Sequence, residues 1–122
     1  MRLLESSEDY LEKILILSEK QDKVRSIDIV EDMHFSKPSV SIAMKKLREN
    51  GYIKIDDKGY ITLTEEGEKA ARKTYERHLL LTELLTSIGV SQETAEKDAC
   101  RIEHDLSDET FDAIKKVSKK IK

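Results

Sequence analysis

A single proline, Pro38, and four glycines are the only strong breakers in 122 residues. That scarcity restricts the chain to a mostly helical fold with few tight turns. The spacing predicts a first helix from Ser6 to about Lys20. Ser6 and Asp9 form a capping box there, and Leu11, Ile14, Leu15 and Leu17 make the apolar face. A short helix over Ser26 to Met33 carries Ile27, Val30 and Met33 on one side. The turn His34-Phe35-Ser36 leads to a third helix, with Ser36 as N-cap and Pro38 in the first turn, where its missing N–H is harmless. Val40, Ala43, Met44 and Leu47 point inward, and Gly51 is the stop.

Ile53-Lys54-Ile55 and Ile61-Thr62-Leu63 alternate around Asp56-Asp57-Lys58-Gly59, the pattern of a β-hairpin. Thr64 caps a long helix from Glu65 to about Ser87 that ends at Gly89. Ser91 caps another to about Leu106, and Ser107-Asp108-Glu109 begins the last, whose lysine-rich end from Lys115 to Lys122 is expected to fray. The expected fold class is therefore mainly α with a small β-hairpin. Residues 1–64 read as a winged helix-turn-helix domain and residues 65–122 as a helical domain. Apolar positions Leu84, Ile88, Val90, Ile102 and Ile114 exceed what so small a core buries, which points to a homodimer.

The net charge of −3 argues against nucleic acid until its distribution is considered. Between Ser36 and Lys54 lie Lys37, Lys45, Lys46, Arg48 and Lys54 against Glu49 alone, five positive minus one negative, or +4. The third helix thus reads as a recognition helix for double-stranded operator DNA. Ser36, Lys37, Pro38, Ser39 and Ser41 stand at its front, Ile42 is suited to a thymine methyl, and Lys45, Lys46, Lys54 and Lys58 are suited to phosphates. No Arg, Asn or Gln stands at the front of that helix, so DNA shape and water-mediated contacts carry much of the specificity. The chain has no apolar run of membrane-spanning length, and its first residues lack a signal peptide, which gives a cytoplasmic expectation. No general base beyond the candidate ligands is evident, so an enzyme is not expected.

The second half carries the chemistry. Cys100, Glu103 and His104 fall at i, i+3 and i+4, so thiol, carboxylate and imidazole share one helix face, with Glu96 one turn earlier as an ancillary candidate. That donor set suits a divalent transition metal. As the lone cysteine, Cys100 is a buried thiol, a reactive one or a metal ligand.

The sequence Ser7-Glu8-Asp9-Tyr10-Leu11-Glu12, the Ser36–Ser41 recognition segment, Arg77-His78 and the Cys100–Asp108 stretch together resemble the diphtheria-toxin-repressor family of iron- and manganese-dependent bacterial repressors. The size resembles the short branch of manganese transport regulators, which lack an SH3-like domain. The resemblance implies a homodimeric repressor loaded with Mn(II) or Fe(II) that controls metal-homeostasis genes. It also implies that Asp9, Glu12, His78, Cys100, Glu103 and His104 are ligands. The manganese branch generally has glutamate where Cys100 stands. The iron branch has cysteine there, but methionine at Asp9, an acidic residue at Thr82 and histidine at Glu96. Manganese and iron both stay open, as does a metal-independent or thiol-redox-responsive winged-helix regulator. His34, in the interhelical turn, reads as structural.

Overall fold

The computed structural model of the protein describes residues 5–121, with side chains over 6–118. The elements run α1 (Glu5–Lys20), α2 (Ser26–Met33), α3 (Lys37–Glu49), β1 (Ile53–Ile55), β2 (Ile61–Leu63), α4 (Glu65–Ser87), α5 (Gln92–Ile102) and α6 (Asp108–Ile121). The chain forms two compact units, Met1–Arg72 and Lys73–Lys122, with the division inside α4.

In the first unit, α1 buries Leu11 and Ile14 completely and Leu15 and Leu17 nearly so. Glu5 is already helical, so Ser6 is not the cap that the Ser6–Asp9 spacing predicts. Helix α2 keeps its expected limits but turns a different face inward. Ile29 is fully buried, whereas Ile27 is 41% exposed. At 100° per residue, Ile29, Val30 and Met33 form one stripe, and Ile27 lies well away from Ile29. His34 closes α2 in the left-handed conformation (φ 59°), with its N–H donating to Val30 O at 3.0 Å. This is the structural role expected of it.

Helix α3 starts as the sequence predicts. Ser36 Oγ accepts from Ser39 N–H at 3.3 Å, and Val40, Met44 and Leu47 are buried. Strands β1 and β2 pair antiparallel with Ile53 opposite Leu63, Lys54 opposite Thr62 and Ile55 opposite Ile61. The hairpin closes through Gly59 at φ 85°, while Asp56 Oδ1 accepts from the N–H groups of Lys58 and Tyr60, both at 2.9 Å. An isolated bridge between Val24 and Ile61 adds the α1–α2 connection to this ribbon, a pairing absent from the sequence reading. Thr64 caps α4 from both sides, accepting from Gly67 N–H at 3.1 Å and donating to Gly51 O at 2.6 Å.

In the second unit Leu81, Ala95, Ala99 and Phe111 are buried, together with Thr74 and Ser118. Helix α5 is shorter than expected, ending at Ile102 rather than near Leu106. Residues 103–107 form a turn, which Asp105 N–H tightens by donating to Ile102 O at 3.0 Å. Ser107 Oγ then accepts from Thr110 N–H at 3.1 Å and starts α6. The lysine-rich end, expected to fray, is helical to Ile121.

Candidate metal centre and nucleic-acid interface

Cys100 stands in the last turn of α5, Glu103 is its C-cap and His104 follows in the turn. Glu103 retains helical backbone angles (φ −57°, ψ −28°), and its N–H still donates to Ala99 O at 2.9 Å. The i, i+3 relation to Cys100 therefore survives the end of the helix. The ligand atoms of Cys100, Glu103 and His104 lie within 4.8 Å of one another. From α4, His78 brings Nδ1 to 3.0 Å from Glu103 Oε2. Glu103 is the meeting point of thiol, carboxylate and two imidazoles.

The burial of Glu103 sharpens that chemistry. The residue is 2% exposed, and its Oε1 accepts no hydrogen bond among the described residues, although His104 Nε2 stands 3.4 Å away. A buried carboxylate oxygen without a hydrogen bond is costly unless a cation compensates it. The surrounding donors fit a divalent ion: sulfur and imidazole suit later transition metals, and carboxylate suits manganese. Cys100 is exposed, which excludes the buried-thiol alternative.

In the first unit, Asp9 and Glu12 lie on α1 at i, i+3, both half-buried. Glu96 stands apart from the clustered atoms. It is exposed and accepts a hydrogen bond from Gln92 Nε2 at 3.0 Å. Thr82, one turn after His78, is buried. His34 lies outside the clustered ligand sets.

The exposed face of α3 presents Lys37, Pro38, Ser41, Lys45 and Lys46, with Ile42 57% exposed. The Ser36 hydroxyl serves as the cap and donates to Ser39 Oγ at 2.8 Å, so both hydroxyls are set by the helix start itself. Lys54 on β1 and Lys58 in the hairpin loop are exposed. Two further cations join them. Lys23 Nζ and the Arg25 guanidinium each lie 4.5 Å from the centre of the Tyr60 ring. Because Val24 is buried between them and bridged to Ile61, both cations alternate away from the core. The basic–apolar–basic order Lys23-Val24-Arg25 is the only sign of this in the sequence.

Comparison with known proteins supports both halves. Residues 2–61 match the iron-dependent repressor N-terminal DNA-binding domain, and residues 64–122 match the iron-dependent repressor metal-binding and dimerisation domain. The chain is 35% identical over 113 residues to the transcriptional regulator MntR of Escherichia coli O6:H1, covering 93% of this chain and 73% of that one. It is 32% identical over 120 residues to an HTH-type transcriptional regulator of Methanocaldococcus jannaschii, covering 97% of this chain and 96% of that one. A manganese-dependent transcriptional repressor solved in complex with manganese superposes with a TM-score of 0.82 at 32% identity, over 92% of this chain and 52% of that one. The manganese regulator SloR superposes with a TM-score of 0.80 at 30% identity, over 91% of this chain and 52% of that one. The chain spans about half the length of these two solved structures. Both halves are matched, in order, and His78, Cys100, Glu103 and His104 lie in the half matched to metal binding: the chain belongs to the iron-dependent repressor family.

Proposed function

We propose that this chain is a metal-dependent transcriptional repressor that binds operator DNA as a homodimer when loaded with Mn(II) or Fe(II), and so controls metal-homeostasis genes in the cytoplasm. Residues 1–64 are the DNA-reading domain, and residues 65–122 dimerise and hold the metal. One observation carries the metal half of this reading: the buried Glu103 carboxylate, with an oxygen that accepts no hydrogen bond among the described residues, meets Cys100, His104 and His78. The curated relatives and solved neighbours supply the regulatory half, being transcriptional regulators rather than enzymes.

The ligands in this reading are His78, Cys100, Glu103 and His104 from the second unit, with Asp9 and Glu12 of α1 completing the set. A bound divalent ion supplies the positive charge that lets these carboxylates share one site. The residues do the rest. In this reading Asp9 and Glu12 of the reading domain would be tied, through a shared ion, to the ligands that α4 and α5 contribute. A dimer restrained in this way holds two recognition helices at the spacing of half-sites about 34 Å apart. The required coupling is modest, typically about 1–3 kcal/mol between metal and DNA binding.

The test is operator binding titrated with Mn(II), with Fe(II) under anaerobic conditions, and with a chelator. We expect tight binding in either metal and loss of binding in chelator. Metal affinity falls in acid because imidazole and thiol bind only when deprotonated. His104→Ala retains the fold and loses the metal response. DNA affinity indifferent to both metals would end this reading, and affinity governed by oxidant instead would assign Cys100 a redox role.

A further inference from the structure

We infer that Arg77, which is not itself a ligand, is the positioning residue of the metal centre, locking the turn that carries Glu103 and His104 onto the helix that carries His78. This rests on the metal-binding reading above and goes beyond it, because it assigns the geometry of the site to a residue outside the ligand set.

The turn is where the centre is most exposed to error. Helix α5 ends at Ile102: Glu103, as its C-cap, makes the last bond of the helical ladder, to Ala99 O, and His104 lies beyond it in the turn. The last carbonyls of a helix have no intrahelical donors. Arg77 supplies donors to the C-cap carbonyl and to a carbonyl of the connection that follows it. Its Nη1 donates to Glu103 O at 3.1 Å and to Leu106 O at 2.7 Å, and its Nη2 donates to Asp108 Oδ1 at 2.5 Å. The guanidinium carbon lies 5.1 Å from the centre of the Phe111 ring, and the side chain is 7% exposed. One flat cation therefore holds the end of α5, the turn and the first residue of α6.

The next residue along α4 completes the grip. His78 Nδ1 stands 3.0 Å from Glu103 Oε2, so consecutive residues of one helix meet the backbone and the side chain of the same glutamate. Any slip of the turn along α4 would separate the ligands His78 and Glu103. Metal coordination tolerates distance errors of only about 0.2 Å. Residues that orient ligands without touching the ion typically change affinity by about 10- to 100-fold. A lysine cannot reproduce this role, because an ammonium on a flexible stem lacks the planar fork that spans two carbonyls and a carboxylate.

The experiment compares wild type, Arg77→Met, Arg77→Lys and Asp108→Asn as full-length chains. Mn(II) affinity is read from the EPR signal of free Mn(II). Site geometry is read from the visible spectrum of the Co(II)-loaded protein, including the sulfur-to-metal band expected from Cys100. Thermal unfolding in chelator reports stability without metal. We expect Arg77→Met and Arg77→Lys to bind Mn(II) about 10- to 100-fold more weakly with an altered Co(II) spectrum. Asp108→Asn, which keeps both carbonyl contacts, should weaken binding less. Folded Arg77 variants with wild-type Mn(II) affinity and an unchanged Co(II) spectrum would overturn the inference. Full rescue by lysine would also overturn it, showing that charge alone matters. If Arg77→Met does not fold, Arg77→Lys and Asp108→Asn still decide the question. Wild-type protein that binds neither Mn(II) nor Co(II) would remove the metal-binding reading itself, a result distinct from the failure of Arg77 alone.

Discussion

Gly67 shows how much one hydrogen atom can carry. It lies in the first turn of α4, where its N–H donates to Thr64 Oγ1, and a Cβ at this position would run into the carbonyl of Tyr52. That carbonyl is fixed, since it accepts from Thr64 N–H at 3.0 Å, so neither backbone can yield. Alanine normally stabilises a helix by about 1 kcal/mol over glycine. Here the clash reverses the sign, and Gly67→Ala is expected to destabilise by about 1–3 kcal/mol, the usual range for overpacking. Urea unfolding measures it, and a variant as stable as wild type would show that the Tyr52 carbonyl moves freely. The same scale marks the limits of reading ligands from spacing. Cys100, Glu103 and His104 are within four positions of one another, so helical periodicity alone places them together. His78 is 25 residues from Glu103, and only family resemblance brought it into the set. Arg77 was visible as a neighbour of His78 but not as a holder of the turn, because its partners lie 26 to 31 residues further on.

Among the elements, α3 and the hairpin were legible because their limits are written in local chemistry: Ser36 and Pro38 at one end, Gly51 at the other, then the turn before Gly59. The C-terminus of α5 was not. Asp105 and Leu106 continue an acceptable helical pattern, and the stop coincides with carbonyls taken up by Arg77, a tertiary effect no local propensity encodes. The Val24 bridge escaped for a similar reason, being a single residue paired with Ile61 far along the chain. The start of α6 carries a prediction of its own. The Lys73 ammonium, hydrogen-bonded to Asp108 with the two groups 3.0 Å apart, holds that carboxyl below its ordinary value, and the Arg77 guanidinium adds to the effect. A carboxyl with a depressed folded-state pKa stabilises at neutral pH and loses that contribution as pH falls through its folded value. In chelator, Asp108→Asn should therefore be less stable than wild type at neutral pH, and the two should converge below about pH 4. Because Asp108 is exposed, the difference will be small. Urea midpoints from pH 7 downward test it, and a gap that stays constant into acid would assign the loss to something other than this charge.

For the whole molecule, a net charge of −3 sets a weak repulsion from DNA, yet exposed charges are screened beyond about 8 Å at physiological ionic strength. In the proposed complex DNA would meet the local surface: the front of α3, Lys54, Lys58, and the Lys23 and Arg25 pair against Tyr60. The aromatic ring restricts both long side chains before binding, so less rotamer freedom remains to be lost when they meet phosphates. If both cations neutralise backbone charge, each adds about 0.9 to the slope of log affinity against log salt. Lys23→Ala with Arg25→Ala should flatten that slope by about 1.8 per subunit and weaken all DNA sequences nearly equally. Ile42→Ala should behave in the opposite way. It removes an apolar contact suited to a thymine methyl, so it should lower the preference for operator over random DNA and leave the salt slope intact. Measuring affinity for operator and random duplexes across a salt series separates the two effects. A double variant with the wild-type slope would place Lys23 and Arg25 off the DNA. An Ile42→Ala variant with unchanged sequence preference would leave recognition to DNA shape and water, consistent with the absence of Arg, Asn and Gln at the front of this helix.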